Sequence, residues 1–172
     1  MTRILFIGVA LGVIALAPAA GAATSASKTS ADQSFLTKAA GGGRGEVELG
    51  KLAQSRASNP QVKQFGQRMV EDHTKANDQL KAALRREGIA APTAMDPEAR
   101  ESYDRLSKLS GAEFDRAYVE DMVKDHRKDV ALFQDEAQHG KDPAVKHFAE
   151  QTLPTLQQHL QMAEQLQKVA QR

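Results

Sequence analysis

The sequence predicts an all-α protein, a ferritin-like four-helix bundle with a short extra helix in the long connection between the second and third long helices. Three observations predict this fold class. Four long segments repeat apolar residues every three or four positions, which is the spacing of one face of an α-helix. Asn-Pro, Asp-Pro and Ser caps and single glycines mark the ends of these segments. Two of the three connections are short, and the third is long enough for a crossover.

The first long helix is predicted to begin at a capping box made by Ser30 and Gln33 and to end just before Asn59. Its apolar stripe is the weakest of the four, and residues 41–43 within it are three consecutive glycines. Each interior glycine costs up to ~1 kcal/mol relative to alanine. We therefore favour a kink or a break at these glycines over the alternative, which is a close approach of another helix or a site that needs room at the backbone.

The second long helix is predicted to begin at Asn59-Pro60, an N-cap followed by proline at the first helical position, and to end at Gly88. Asp96-Pro97 then opens a short helix that is predicted to run to about Leu109. The apolar stripe of the second helix consists of Val62, Phe65, Met69, Ala76, Leu80 and Leu84.

The third long helix is predicted from a capping box at Ser110 and Glu113 to Gly140, and the fourth from Asp142-Pro143 to near the C-terminus. The short connections within each pair predict two antiparallel hairpins. The connection between the pairs covers roughly 50 Å with its short helix and extended remainder, whereas a long helix of this chain spans roughly 42 Å. A crossover along the bundle is therefore possible.

The N-terminus has the basic start, the apolar stretch and the small residues of a secretory signal peptide, so residues 1–22 are predicted to be removed by a cut near Ala22. Residues 23–31 are predicted as a flexible leader, and residues 32–172 as the bundle domain. We expect an exported protein, periplasmic or secreted, with no integral membrane span after signal cleavage, because no later stretch reaches the roughly 20 apolar residues that a span needs.

Composition excludes several classes of function. The chain has 23 Lys and Arg against 22 Asp and Glu, and loss of Arg3 with the signal peptide makes the two equal. A nucleic-acid partner is not expected, because such binders need a basic surplus. The absence of cysteine excludes thiolate metal sites and cysteine nucleophiles. No motif indicates a particular protein partner or a homo-oligomer.

Four polar residues lie on the apolar stripes near the middle of the four long helices: Glu46, His73, His126 and His159. Burial of such groups without partners costs a few kcal/mol each. Their occurrence at one level of a bundle therefore indicates a shared site. Three imidazoles and a carboxylate suit a transition metal, with Zn, Fe, Mn and Cu as the candidates.

Three acidic residues, Asp72, Asp125 and Asp129, lie beside the histidines or one turn away. They are candidates to orient the imidazole rings by accepting hydrogen bonds from them. The alternative is a cluster without metal, in which neutral histidines are hydrogen-bonded to Glu46, Tyr118 or the backbone and only fix the register of the helices.

A distinctive set of residues runs along the mature chain: Asp32, Phe35, Leu36, Ala39, Ala40, Glu46, Leu49, Gly50, Leu52, Ala53, Val62, Lys63, Phe65, Met69, Asp72, His73, Gly111, Phe114, Asp115, Tyr118, Met122, Val123, His126, Leu153, Pro154, Leu156, His159 and Leu160. With this set the chain resembles the exported bacterial proteins of domain-of-unknown-function family 4142, which are labelled outer-membrane or periplasmic. The resemblance implies a ferritin-like four-helix bundle. It implies no activity, because the family has no settled one.

Di-iron proteins of the ferritin-like kind carry a Glu-x-x-His pair on each of two helices. Here the residue three positions before each of the three histidines is apolar: Val70, Val123 and Leu156. This argues against ferroxidase or oxygenase chemistry. We therefore hypothesise a metal-binding bundle for envelope metal handling or stress protection, more plausibly a binding protein than an enzyme. The alternatives are a structural or partner-binding bundle and, less favoured, a redox enzyme.

Overall fold

The computed structural model describes residues 30–170. These residues form five helices and contain no strand: α1 (Ser30–Arg56), α2 (Pro60–Glu87), α3 (Pro97–Leu106), α4 (Gly111–His139) and α5 (Pro143–Ala170). The predicted all-α bundle with four long helices and one short helix is confirmed. The predicted signal peptide and the leader up to residue 29 lie outside the described residues. Within the described part, no helix combines the length and the hydropathy that crossing a membrane requires.

The ends of the helices follow the local capping residues. Asn59 and Asp96 each accept a hydrogen bond of 2.8 Å from a backbone N–H two or three residues later, at the beginnings of α2 and α3. Gly88 ends α2 in the left-handed conformation, with φ of 69°. Ser110 precedes α4 but makes no side-chain capping hydrogen bond, so the capping box predicted there is wrong. The short helix also ends earlier than predicted, at Leu106.

The α1–α2 hairpin packs against the α4–α5 hairpin around two apolar clusters. One cluster joins the end of α1 to the beginnings of α2 and α4, and it includes Leu52, Phe65, Leu106, Phe114 and Tyr118. The other joins the beginning of α1 to the ends of α2 and α4 and the beginning of α5, and it includes Phe35, Leu84, Phe133 and Phe148. The helices α2 and α4 therefore run parallel, and the connection that contains α3 returns the chain along the bundle, as the crossover interpretation requires.

The helix α1 runs without interruption through residues 41–43, so the predicted break at these glycines is wrong. A Cβ added at Gly43 would overlap the Asn77 side chain, and a Cβ added at Gly45 would overlap that of Ala99. The glycines thus let α2 and α3 lie directly against α1. The structure supports the alternative, a close approach of neighbouring helices.

Asp115 connects the beginning of α4 to the turn between α1 and α2. Its carboxylate accepts hydrogen bonds from the backbone N–H groups of Ser58 (3.1 Å) and Asn59 (2.9 Å). The side chain is 5% exposed, so these charge-assisted hydrogen bonds are protected from water. This connection sets the level of α4 relative to α2, and with it the relative level of the histidines on the two helices.

Two buried carboxyl groups meet near the opposite end of the bundle. Glu136 on α4 lies against Asp32 on α1, and Asp32 accepts a hydrogen bond of 2.9 Å from the backbone N–H of Lys141. Burial, and then the hydrogen bond with Asp32, raise the pKa of Glu136 to about 7. A protonated Glu136 can donate a hydrogen bond to Asp32, so the two carboxyl groups attract and do not repel each other.

This pair predicts a pH-dependent stability. The folded pKa of Glu136, about 7, lies above the ordinary value of 4.5, so the folded state holds the proton more tightly than the unfolded chain does. The contribution of Glu136 to stability therefore falls as the pH rises from about 4.5 to about 7. Because Glu136→Gln has a permanently neutral side chain, we expect its melting temperature to match that of the wild type near pH 5 and to exceed it by a few degrees at pH 8.

Thermal unfolding followed by circular dichroism across this pH range measures the difference. Glu120→Gln, an exposed position on the same helix, is the control and should show no such trend. A constant difference between Glu136→Gln and the wild type at every pH would contradict the assignment.

Candidate metal centre

Three histidines from three helices meet inside the bundle. His73 on α2, His126 on α4 and His159 on α5 are each no more than 5% exposed. Their ring centroids are 5.3 to 5.7 Å apart. One ring nitrogen from each lies within 4.8 Å of the other two. The sequence places the three histidines near the middle of their helices, with His159 roughly one turn further along. The structure brings them together in one cluster.

Apolar side chains pack against the three histidines. The Phe65 ring lies 6.4 Å from the rings of both His126 and His159. Met69 and Met122, one turn before His73 and His126, are fully buried in the same core. An apolar environment disfavours the charged form of imidazole, so it favours neutral rings whose nitrogen lone pairs are available.

The pKa values agree with this environment. Burial lowers the pKa of all three histidines, and for His126 the result is about 3. The pKa of His73 is lowered further by repulsion from His126 and His159, because the three rings cannot hold several charges at this separation. At neutral pH the cluster is therefore a set of three neutral nitrogen donors, which is the form that binds metals.

Hydrogen bonds orient two of the rings. Nδ1 of His126 lies 3.0 Å from the carbonyl oxygen of Met122 and donates to it. Nε2 of His159 lies 2.8 Å from Oδ2 of Asp72 and donates to that carboxylate, which Arg68 also holds at 3.1 Å. In each ring the donating nitrogen carries the proton, so the other nitrogen has a free lone pair.

Each of the three histidines has one buried ring nitrogen without a hydrogen-bond partner. These atoms are Nε2 of His73, Nε2 of His126 and Nδ1 of His159. Buried polar atoms without partners are rare in proteins. Three in one cluster are explained if the cluster is a ligand set, because an ion would satisfy all three lone pairs together.

The dimensions of the cluster fit a metal ion after a small adjustment. Zinc–imidazole bonds of about 2.0–2.1 Å would place three ligand nitrogens roughly 3.3–3.5 Å apart. The nitrogens now lie within 4.8 Å of one another, so the rings would have to approach by at most about 1.5 Å. Rotation about the side-chain torsions provides movements of this size.

Glu46 is buried as well, at 4% exposed, but it is not part of the group of converging ring nitrogens. It lines a cavity of about 80 Å³ together with Asp96, Asp125 and Asp129. Burial first, and then repulsion from Asp129 and Asp125, raise its pKa well above the ordinary value. The structure therefore places Glu46 and two of the predicted orienting acids, Asp125 and Asp129, around a separate cavity. We call it the acidic cavity.

The alternative without metal predicted hydrogen bonds from the histidines to Glu46, Tyr118 or the backbone. The backbone bond exists at His126. Oε2 of Glu46 and the hydroxyl of Tyr118 are both buried and have no hydrogen-bond partner. Burial, with the nearby Glu46, raises the pKa of Tyr118 well above its ordinary value, so this hydroxyl keeps its proton.

Two of the groups that the structure brings together cannot be recognised in the sequence. The position of Asp96 before Pro97 indicates only a helix cap, although this residue also lines the acidic cavity. The pair of Asp32 and Glu136 had no recognisable signal, because its members are about a hundred residues apart on different helices. Only packing reveals such a pair.

The fold and the site define a four-helix bundle protein with a buried three-histidine cluster. The chain belongs to the DUF4142 family, a domain of unknown function, whose pattern it matches over residues 17–166. This confirms the resemblance that the sequence suggested. No protein with a curated description matches the chain.

Three solved structures share the fold. A DUF305 fragment from Deinococcus radiodurans has a TM-score of 0.71 and 19% identity, covering 81% of this chain and 97% of that one. A DUF305 protein from Streptomyces coelicolor, described as secreted, has a TM-score of 0.69 and 13% identity, covering 81% and 93%. CopM in a silver-bound form has a TM-score of 0.64 and 18% identity, covering 78% and 93%. At these identities the similarity concerns the fold alone.

Proposed function

We propose that this protein binds one transition-metal ion, copper(I) or zinc(II), at His73, His126 and His159, and that it serves metal handling or stress protection in the cell envelope. One observation carries the proposal. Three neutral, buried imidazoles from three helices each have a ring nitrogen within 4.8 Å of the other two, and each has a buried ring nitrogen without a hydrogen-bond partner. A cluster that only fixed the register of the helices would be expected to satisfy these atoms internally.

The donor set selects among the four metals that the sequence suggested. Imidazole suits copper and zinc well, whereas manganese prefers carboxylate and water oxygens. The converging group contains no carboxylate, which makes manganese and iron poorer matches than copper and zinc. A site of neutral ligands in an apolar core also favours the lower charge of copper(I), because the cost of burying an ion rises with its charge.

The similarity to CopM gives independent support for a soft metal. That protein was crystallised with silver bound, and it shares this fold over most of its length. Silver(I) and copper(I) have the same charge and the same closed d shell, so they favour similar ligands. The ligands of the two proteins need not correspond, and the proposal for this chain depends on its own three histidines.

The envelope location depends on the predicted export signal. The N-terminal residues have the composition of a signal peptide, and a protein of the same fold is described as secreted. The lack of cysteine is consistent with an oxidising compartment, where a histidine site keeps its ligands while thiolates would be oxidised.

Metal analysis of the full chain, purified without a histidine tag, tests the proposal. We expect close to one equivalent of copper or zinc after anaerobic incubation with copper(I) or with zinc(II) and removal of excess, and a higher melting temperature for the loaded protein. Metal content far below one equivalent, with no thermal shift for either ion, would instead support the structural role of the cluster.

Asp72→Ala is expected to weaken metal binding by roughly 10–100-fold, because the hydrogen bond from His159 to Asp72 sets which ring nitrogen faces the cluster. Competition titration with a chromophoric chelator measures the affinity. Asp78→Ala, an exposed acid on the same helix that pairs with Lys81, is the matched control and should leave the affinity unchanged. Equal affinities for the two variants would show that Asp72 does not orient the ligand.

A further inference from the structure

The acidic cavity has features that the three-histidine centre does not explain. It lies between α1, the beginning of α3 and α4, has a volume of about 80 Å³, and is lined by Glu46, Asp96, Asp125 and Asp129. That volume holds an ion and several waters. Exposed Glu98 and Lys128 also line it, so it is accessible from solvent on that side.

Glu46 lines the buried side of this cavity. The side chain comes from the middle of α1 and is 4% exposed, yet Oε2 has no hydrogen-bond partner. A buried carboxyl oxygen without a partner is costly, and a bound cation is one of the few groups that could satisfy it from inside the cavity. This observation is independent of the mere grouping of acids.

The other carboxylates also present oxygens to the same space. Oδ1 of Asp96 caps α3 by accepting from Ala99 at 2.8 Å, and Oδ2 faces α1 at Gly42, which lines the cavity. Within residues 30–170, Asp125 and Asp129 form no ion pair with a basic side chain. Four carboxyl groups therefore share a small volume with little positive charge to balance them.

The two lysines nearest the cavity on α4 are paired with Glu98 and not with the four acids of the cavity. Lys128 is the basic residue among those lining the cavity, but its ammonium group is paired with Glu98. Lys124 pairs with the same glutamate at 3.1 Å. The acids inside are left with mutual repulsion, which is the reason that the pKa of Asp129 is raised beyond the effect of burial alone.

We propose that the acidic cavity is a second cation site, which binds a hard divalent ion, calcium or manganese(II), through the carboxylates of Glu46, Asp96, Asp125 and Asp129. Oxygen-only donors are the set that these ions prefer, in contrast to the nitrogen donors of the histidine cluster. Asp129 also lines a small cavity beside His73, so it lies between the two sites. The protein thus has adjacent sites with opposite metal preferences.

Isothermal titration of the full chain with calcium chloride and with manganese(II) chloride, after removal of metals by chelator, tests this inference. We expect one equivalent of at least one ion to bind and to raise the melting temperature. Glu46→Gln and Asp129→Asn, which keep side-chain size, should each weaken that binding at least tenfold. Asp104→Asn, an exposed acid of α3 paired with Arg100, is the control and should bind as the wild type does.

The two sites are tested separately by their ions. His126→Ala should lose copper(I) or zinc binding and keep calcium or manganese binding, whereas Glu46→Gln should show the reverse. Failure of the histidine site alone therefore leaves this inference intact. Absence of calcium and manganese binding up to millimolar concentration, or equal binding by the wild type, Glu46→Gln and Asp129→Asn, would overturn it. Melting temperatures in chelator establish that both variants are folded.

Discussion

His126→Ala is expected to abolish metal binding at the three-histidine centre. His126 is fully buried, and its Nδ1 donates a hydrogen bond to the Met122 carbonyl oxygen. Its Nε2 has no hydrogen-bond partner and is available to bind an ion. Two remaining imidazoles leave an incomplete ligand set in an apolar core. At a free metal concentration of about 100 times Kd, the wild type should gain roughly 2.7 kcal/mol of stability, and the variant should gain none.

The measurement is the difference between melting temperatures with and without metal, for copper(I) under anaerobic conditions and for zinc(II). This difference matters more than either value, because removal of a buried ring costs ~2–4 kcal/mol in any buffer by leaving a cavity. His139→Ala removes an exposed histidine of the same helix, which pairs with Asp135, and should keep the full metal-dependent shift. A metal-dependent shift of normal size in His126→Ala would show that the ion binds elsewhere.

Gly66→Ala is expected to destabilise the protein by about 3 kcal/mol, at the upper end of the usual cost of overpacking. A Cβ at Gly66 would lie 2.7 Å from the Cβ of Ala53 and 2.8 Å from the carbonyl oxygen of Gly50. Both atoms belong to α1, and a backbone carbonyl cannot move aside as a flexible side chain can. The α1–α2 hairpin would therefore have to separate.

Urea denaturation gives the free energy of unfolding for this variant. Gly42→Ala is the matched control, because a Cβ there would meet nothing closer than 3.7 Å, and the gain in helix propensity should stabilise the protein by up to ~1 kcal/mol. Gly66 lies seven residues before His73 on α2, so separation of the hairpin should also weaken metal binding. A free energy within about 0.5 kcal/mol of the wild type would contradict the close contact, since that is the usual range for neutral substitutions.

The helices and most of their ends could be predicted because their signals are local. Asn59, Asp96 and Gly88 act on backbone groups within three or four residues, so their effects can be recognised without the rest of the fold. The capping box at Ser110 shows the limit of such signals. The helix begins there, but the hydroxyl makes no capping hydrogen bond.

The three histidines could be predicted as buried because polar residues on an apolar stripe must face the core. The position of Glu46 could not be predicted in the same way. Like the histidines it lies near the middle of its helix, but it lines the acidic cavity beside α3 and is not part of the histidine cluster. The direction of a side chain depends on the rotation of its helix about its own axis, and packing against α3 and α4 sets that rotation.

By itself, the sequence determined an all-helical bundle, the approximate limits of its helices and the burial of three imidazoles, because periodicity and capping are properties of neighbouring residues. Tertiary structure decided that the glycines of α1 are sites of close packing, that Glu46 belongs to a cavity of its own, and that Glu136 meets Asp32. These outcomes depend on contacts between residues far apart in the chain. Such contacts form only when all the helices have packed together.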